Sequence, residues 1–282
     1  MLEQVTPIIL TRNEAPNIGR TLDRLRWARE IVVVDSFSDD ETLEVVSRFP
    51  QARVFQRRFD SHAEQWNFAL KETGVRSEWV LALDADYVLT PALVEELSGL
   101  CPEADVAGYR ANFVYCVDGR PLRGSAYPPV TVLYRRERAV YRQDGHTQRV
   151  AVGGRVESLR DPILHDDRKP LAHWLQSQAR YMRIEARKLA ESDAGDLNWA
   201  DRLRKTRFAA PPVMLLYVLF LKRAILDGRA GLFYTFQRTV AELILSLYLV
   251  EDDMRRLRGG QRVDAAGQAV PAELVPEVKE QG

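Results

Sequence analysis

The sequence predicts an α/β protein: a mixed sheet with helices on both faces, followed by a helical C-terminal region. Three observations carry this reading. Short apolar runs alternate with amphipathic stretches from Val5 to about Arg142, the runs are rich in β-branched residues that suit strands covered on both sides, and the hydrophobic period turns helical past residue 168.

Taken in order, "VTPIIL", "IVVVD", "ARVF" and "WVLALD" read as strands, and "NIGRTLDRLRWA", "ETLEVVSRF" and "HAEQWNFALKET" as the helices between them. Two longer alternating segments follow, "DVAGYRANFVYCVDGRPLRG" and "PVTVLYRRERAVYR", with Asp118-Gly119 predicted as the hairpin turn joining them, so the sheet acquires antiparallel strands. After "HDDRKP", Leu175, Met182, Ala186 and Leu189 share one face of a helix. Pro211-Pro212 mark a further helix start, and the apolar run from Val213 to Leu221 falls short of the roughly 20 residues a spanning helix needs. Two readings of this region stand side by side. In one, the basic cluster Arg202, Arg204, Lys205 and Arg207 meets anionic lipid, with Phe208, Tyr217 and Phe220 at the interface. In the other, a buried helix hairpin uses Phe233, Phe236, Val240, Leu243 and Leu247 as its seam. Three units result: a ligand-binding domain over 1–167, a helical region over 168–257, and a polar tail over 258–282 predicted to be disordered.

Bulk properties narrow the function by exclusion. An apolar fraction of 46% over 282 residues fills a sizeable core, and 40 basic residues against 40 acidic ones leave no global field for nucleic acid. Cys101 and Cys116 have neither disulfide-framework nor zinc-site spacing, and "MLEQVTPIIL" lacks the features of a secretory signal, so a cytoplasmic location is expected.

In an open sheet, ligands sit beyond the carboxyl ends of the strands, so "TRNEAPNI", "DSFSDDET" and "DADYVLT" are the segments to read. The first has neither a GxGxxG nor a GKS/T pattern, which argues against a dinucleotide fold, a P-loop and a sugar nucleotidyltransferase. Asp84 and Asp86, two apart at a strand end, are expected to aim both carboxylates at one spot, where a Mg²⁺ or Mn²⁺ ion would relieve their repulsion and hold a substrate diphosphate. Thr90-Pro91 already supplies the N-cap and first residue of the next helix, so capping does not account for the pair. Asp40 reads as the cap of the helix starting at Glu41, and His62 and His173 as ordinary surface or core residues.

"PIILTRNEAPNIGRTLDRL", "EIVVVDSFSDDET", "FDSHAEQWNFAL" and "WVLALDADYVLT" resemble, in order and spacing, the successive motifs of family 2 glycosyltransferases with the GT-A (Rossmann-like) fold. More loosely, "ILHDDRKPLAHWLQSQARYM" and "ILDGRAGLFYTFQRTVAEL" are similar to the branch that includes lipopolysaccharide-core β-glucosyltransferases. The resemblance implies that Thr11, Asn13 and Glu14 touch the nucleotide, that Asp35 accepts a hydrogen bond from the base, and that Asn67 lies beside the donor. It implies further that Asp84 faces the ribose or a metal-bound water, and that Asp86 and His165 ligate the cation.

One departure matters. Where that branch carries a His-Glu dipeptide with a catalytic glutamate, this chain reads "DGHTQRV", with Gln148 at the glutamate position, and an amide cannot accept a proton. Asp144, His146, Asp166 and Asp167 are candidates to replace it; alternatively the acceptor is a polyprenyl phosphate, already anionic and able to attack without a base. The expectation is therefore an inverting, metal-dependent transferase that moves a sugar from a nucleotide-sugar to a glycolipid or lipid-linked glycan at the cytoplasmic membrane face. A catalytically retired scaffold of the same fold is the rival from another class.

Overall fold

The computed structural model describes residues 1–260 apart from Gly145, His146, Ala194 and Asp196; of 144, 147 and 258–260 it describes the backbone alone. The chain order is β1 (Val5–Thr11), α1 (Ile18–Asp23), β2 (Ile31–Asp35), α2 (Thr42–Ser47), β3 (Ala52–Gln56), α3 (His62–Lys71), β4 (Trp79–Asp84), β5 (Tyr87–Leu89) and α4 (Pro91–Gly99). There follow β6 (Val106–Ala111), β7 (Phe113–Val117), β8 (Arg120–Pro121), β9 (Val130–Arg135), β10 (Ala139–Asp144), β11 (Thr147–Val152), β12 (Arg155–Ser158) and β13 (Ile163–His165). The C-terminal helices are α5 (Leu171–Glu191), α6 (Trp199–Arg204), α7 (Ala210–Leu216) and α8 (Gly228–Gly260).

The main sheet runs β12-β6-β9-β4-β1-β2-β3, parallel from β4 through β3 and antiparallel where β9 enters between β4 and β6. Neighbouring residues of β1 serve opposite faces, as a strand's alternation requires. Ile9 joins Leu22, Val46, Leu83 and Leu93 under α1, α2 and α4, while Ile8 joins Val32, Trp66, Val80 and Tyr134 under α3. Local signals set the helix starts: Ser61 Oγ accepts from the Glu64 amide, and Thr90 Oγ1 from the Leu93 amide just before Pro91.

Asp118-Gly119 does form a turn with both residues at positive φ, 49° and 75°. It joins β7 to the two-residue β8, however, and not the two long segments, because β9 leaves to pair with β6 in the main sheet. A second sheet, β5-β13-β7-β8, carries His165 back to Tyr87, its partner in the β5–β13 register. The β10–β11 hairpin leans on α3: both ends of the Asn67 amide bond the Tyr141 backbone at 3.0 Å, and Trp66 stacks on the Tyr141 ring.

In the helical region α5 and α8 pack through Ala186, Leu189, Leu197, Leu245 and Leu249. Leu175, predicted on that face, is exposed one end away from the contact. The predicted seam is also reversed. Phe233, Phe236, Leu243 and Leu247 are exposed and Val240 is half-buried, while Tyr234, Ala241, Leu245 and Leu249 face inward. The basic cluster before α7 is spent on internal contacts: Arg204 pairs with buried Glu242, Arg207 with Asp253, Lys205 donates to the Ser192 carbonyl and Arg202 to that of Leu197. Helix α8 continues through Gly260, past the expected tail boundary at 258, and 261–282 lie outside the described residues.

Candidate active site

Register places the site. Thr11 lies opposite Asp35 and Leu10 opposite Asp84, so β1, β2 and β4 end on one line with Asp35, Thr11 and Asp84 at their carboxyl ends. The strand stops at Asp84; Ala85 and Asp86 form a turn into β5, so a reversal of the chain, and not an extended Asp-Ala-Asp, brings the second carboxylate in. Asp86 Oδ2 then lies 3.1 Å from His165 Nε2, a contact between residues 79 apart, and the Asp86 carbonyl accepts from the Asp166 amide.

The electrostatics of this pair are mutual. Burial pushes the Asp86 carboxyl up, but His165 and Lys169 together outweigh it and hold the group below its ordinary value. Burial likewise lowers His165, and Asp86, with smaller help from Asp84 and Asp167, more than reverses that. Asp84, desolvated and facing the Asp86 charge, is raised to about 6. Its carboxylate is bonded to Tyr87, whose hydroxyl meets that of Tyr127 at 2.6 Å. Rings of Tyr87, Tyr115 and Tyr127 surround the His165 imidazole edge-on at 4.7–5.2 Å, and its Nδ1 is buried with no partner among the described residues.

The donor set fits a hard divalent cation that keeps most of its shell for other ligands. Two cis ligands about 2.1 Å from an octahedral ion are about 3.0 Å apart, close to the Asp86–His165 separation. Among the described residues no three His, Cys, Asp or Glu side chains converge into a closed site, so the remaining positions fall to water and to ligand oxygens. Protons compete for these groups. Mn²⁺ affinity measured by calorimetry is expected to fall as the pH drops, first as His165, whose proton affinity Asp86 raises, takes up its proton, and further below about 6, where Asp84 holds its own.

The other predicted residues divide into those that face this centre and those that hold the loops. Asp35 is fully buried and its carboxylate takes four donors, Thr11 Oγ1, the Ser38 amide and hydroxyl, and Gln56 Nε2. As arranged it has no lone pair turned to a base, and it ties the first loop to the second. Asn13, at φ 55°, exchanges side-chain bonds with Asp39, and the amides of Asn13, Glu14 and Ala15 donate to Ser38, Thr42 and Asp40. Asp40 also accepts from the Thr42 amide, so it tethers the loop to the first residue of α2, whose N-cap is Glu41 and which starts one residue later than expected. Glu14 accepts from Lys169 Nζ at 2.6 Å and from Asn17 at 2.8 Å; burial raises its carboxyl to about 7 against the pull of Lys169. Asn67 is used up by Tyr141, so it belongs to the scaffold.

Of the candidate bases, Asp166 is not available: it is buried, accepts from Arg168 Nε at 2.8 Å and the Gly119 amide at 3.1 Å, and faces Arg20 at 3.6 Å. His146 and the Asp144 side chain lie outside the described residues. Gln148 sits half-buried on β11 opposite Gln143. Asp167 uses Oδ1 to accept from Asn17 and from the Lys169 amide.

Asn17, Arg20 and Lys169 were not singled out by the sequence, yet they clamp the segment 166–169 over the first loop. Asn17 is fully buried; its Nδ2 donates to Glu14 and Asp167, and its Oδ1 accepts from Arg20 and the Arg168 amide. Arg20 reaches the Asp166 carbonyl at 2.6 Å.

Residues 6–161 match the pattern of the family described as Glycosyl transferase family 2. The chain belongs to that family. This family 2 chain is 29% identical over 231 residues to the lipopolysaccharide core biosynthesis glycosyltransferase LpsC of Rhizobium meliloti, covering 77% of this chain and 80% of that one. It is 28% identical over 147 residues to an uncharacterized glycosyltransferase of Rickettsia bellii, covering 50% of this chain and 49% of the relative, so it spans about half the length of that protein. Among solved structures, Staphylococcus aureus TarS 1-349 in complex with UDP-GlcNAc overlaps with a TM-score of 0.47 at 17% identity over 98% of this chain and 99% of that one. Glucosyl-3-phosphoglycerate synthase from Mycobacterium tuberculosis, in complex with Mn²⁺, UDP and phosphoglyceric acid, overlaps at 0.45 and 17% identity over 68% and 80%. Both overlaps are too distant to bear on the assignment.

Proposed function

We propose that this glycosyltransferase is inverting and metal-dependent, and that it moves a sugar from a nucleotide-sugar to a lipid-linked glycan or lipopolysaccharide-type acceptor. In this reading residues 1–167 bind the donor, 168–257 serve the acceptor, and the protein works peripherally at the cytoplasmic membrane face. The observation that carries it is the Asp86–His165 pair, set beside Asp84 at the strand ends of a family 2 chain. The similarity to LpsC supports the acceptor class, and no helix of the described residues is long and apolar enough to cross a membrane.

Asp86 and His165 would hold Mg²⁺ or Mn²⁺, which when bound neutralises charge on a departing diphosphate. Thr11, Asn13 and Glu14 shape the loop that receives the nucleotide, and Asp35 acts by holding that loop in place. Lys169, whose proton affinity is raised against burial chiefly by Glu14 and Asp167 and in smaller part by Asp86, puts a positive charge beside the same spot. Residues 166–169, clamped by Asn17 and Arg20, are held over the first loop beside the site. An acceptor hydroxyl attacking the anomeric carbon opposite the leaving diphosphate must release a proton. Asp167 is the described candidate to receive it, through Oδ2, which makes no hydrogen bond among the described residues.

Thermal-shift titration with UDP, GDP and ADP, with and without Mn²⁺, tests the donor half: one nucleotide at a hundred times its dissociation constant adds about 2.7 kcal/mol of stability. No stabilisation and no nucleotide-sugar hydrolysis would leave the retired scaffold. Asp167→Asn keeps the Oδ1 contacts, so it is expected to lower transfer to a hydroxyl acceptor about a hundredfold or more while nucleotide affinity stays unchanged. Unchanged transfer to the hydroxyl would place the base at another residue, whereas transfer to a polyprenyl phosphate alone would favour the second reading, an acceptor that needs no base, which Gln148 already motivates.

A further inference from the structure

We propose that the exposed face formed by α7, the π turn Tyr217–Leu221 and α8 seats in an anionic lipid surface; this deepens the peripheral-membrane part of the reading above by naming the surface and its partner. Leu216, Phe220 and Leu221 are 53%, 54% and 75% exposed, and Phe236 and Leu247 continue the stripe along α8 at 59% and 69%. An apolar face of this extent on a protein surface marks an interaction site.

Charge selects the occupant. Between Ala210 and Leu247 the acidic residues are Asp227 and Glu242, and both point inward: Asp227 accepts from the Arg123 and Gly124 amides and Glu242 pairs with Arg204, their side chains 7% and 3% exposed. The basic residues beside the stripe, Arg223 and Arg229, are exposed, and Lys222 is half-buried with its ammonium over the Tyr217 ring. A surface that is apolar along its length, cationic at the end that bears Lys222, Arg223 and Arg229, and closed past Leu247 by the Glu251–Arg255 pair suits lipid tails below and anionic headgroups around its basic end. A second copy docked by two-fold symmetry would set these same cations against their own images.

Placement joins this face to the chemistry. On the inward side of α8, Tyr234 packs on Tyr115 at 4.7 Å, and Tyr115 packs on His165 at 4.9 Å. The stripe and the candidate cation site therefore lie on opposite sides of one helix, about 10 Å thick. A lipid-borne acceptor standing beside α8 has a short path to the site.

Sedimentation of the full chain with phosphatidylglycerol-containing vesicles, against phosphatidylcholine alone, tests this. Capture by the anionic vesicles, weakened by salt, is expected. Phe220→Glu with Leu221→Glu should lower partitioning tenfold or more, and Arg223→Ala and Arg229→Ala about fivefold each. The nucleotide thermal shift of all variants should match the parent, which shows that they fold and separates this result from the donor reading. No capture, equal capture of every variant, or a dimer in light scattering that the glutamate variant breaks would overturn the proposal.

Discussion

Asp86→Ala is expected to lower sugar transfer about a thousandfold, with Asp86→Asn close behind, because a divalent ion worth several kcal/mol of charge stabilisation loses its carboxylate ligand. The fold should survive. Removing this charge takes away a neighbour that raises Asp84, so that carboxyl drops toward its ordinary value, and His165 loses the main partner that raises its proton affinity against burial. Nucleotide affinity measured by calorimetry in Mn²⁺ should fall, while affinity in chelator should be the same as for the parent. Transfer retained within tenfold would mean that the Asp86–His165 contact is a structural ion pair and that the cation, if one acts, binds elsewhere.

How much of this was legible depended on where each side chain finds its partner. The strands were readable because runs such as "IVVVD" are β-branched, short and bounded by turn residues, and covered on both faces where they matter. Asp84 and Asp86 stood out as a carboxylate pair after an apolar strand and His165 through the resemblance to family 2 glycosyltransferases, and the fold brings Asp86 and His165 into contact. Asp35 was placed at the right strand end, but its burial by Thr11, Ser38 and Gln56 depends on three separate segments meeting. Helix α8 was misread for a different reason. Phe233, Phe236, Leu243 and Leu247 form one apolar stripe and Tyr234, Ala241, Leu245 and Leu249 another, so periodicity offers two faces and only the packing of α5 decides between them.

Asn17 was invisible because two of its four partners, Asp167 and Arg168, lie about 150 residues further on, and its loss is the second large effect expected. It occupies the N-cap position of α1, yet its side chain makes no capping bond to that helix. Its amide orientation is unambiguous, since the nitrogen faces two carboxylates and the oxygen faces two donors. Asn17→Ala strips one bond each from Glu14, Asp167, Arg20 and the Arg168 amide in a buried setting, which should cost about 3 kcal/mol and lower Tm by roughly 6 to 9 °C in calorimetry. Asn17→Asp separates hydrogen bonding from volume. Aspartate fills the same space but sets a third carboxylate against Glu14 and Asp167, so it should destabilise at least as much as alanine, and less at acid pH where a carboxyl regains its proton. If aspartate proved milder than alanine at neutral pH, the clamp would be a matter of packing. The loop and the segment 166–169 would then be held by Lys169 and Arg20 alone.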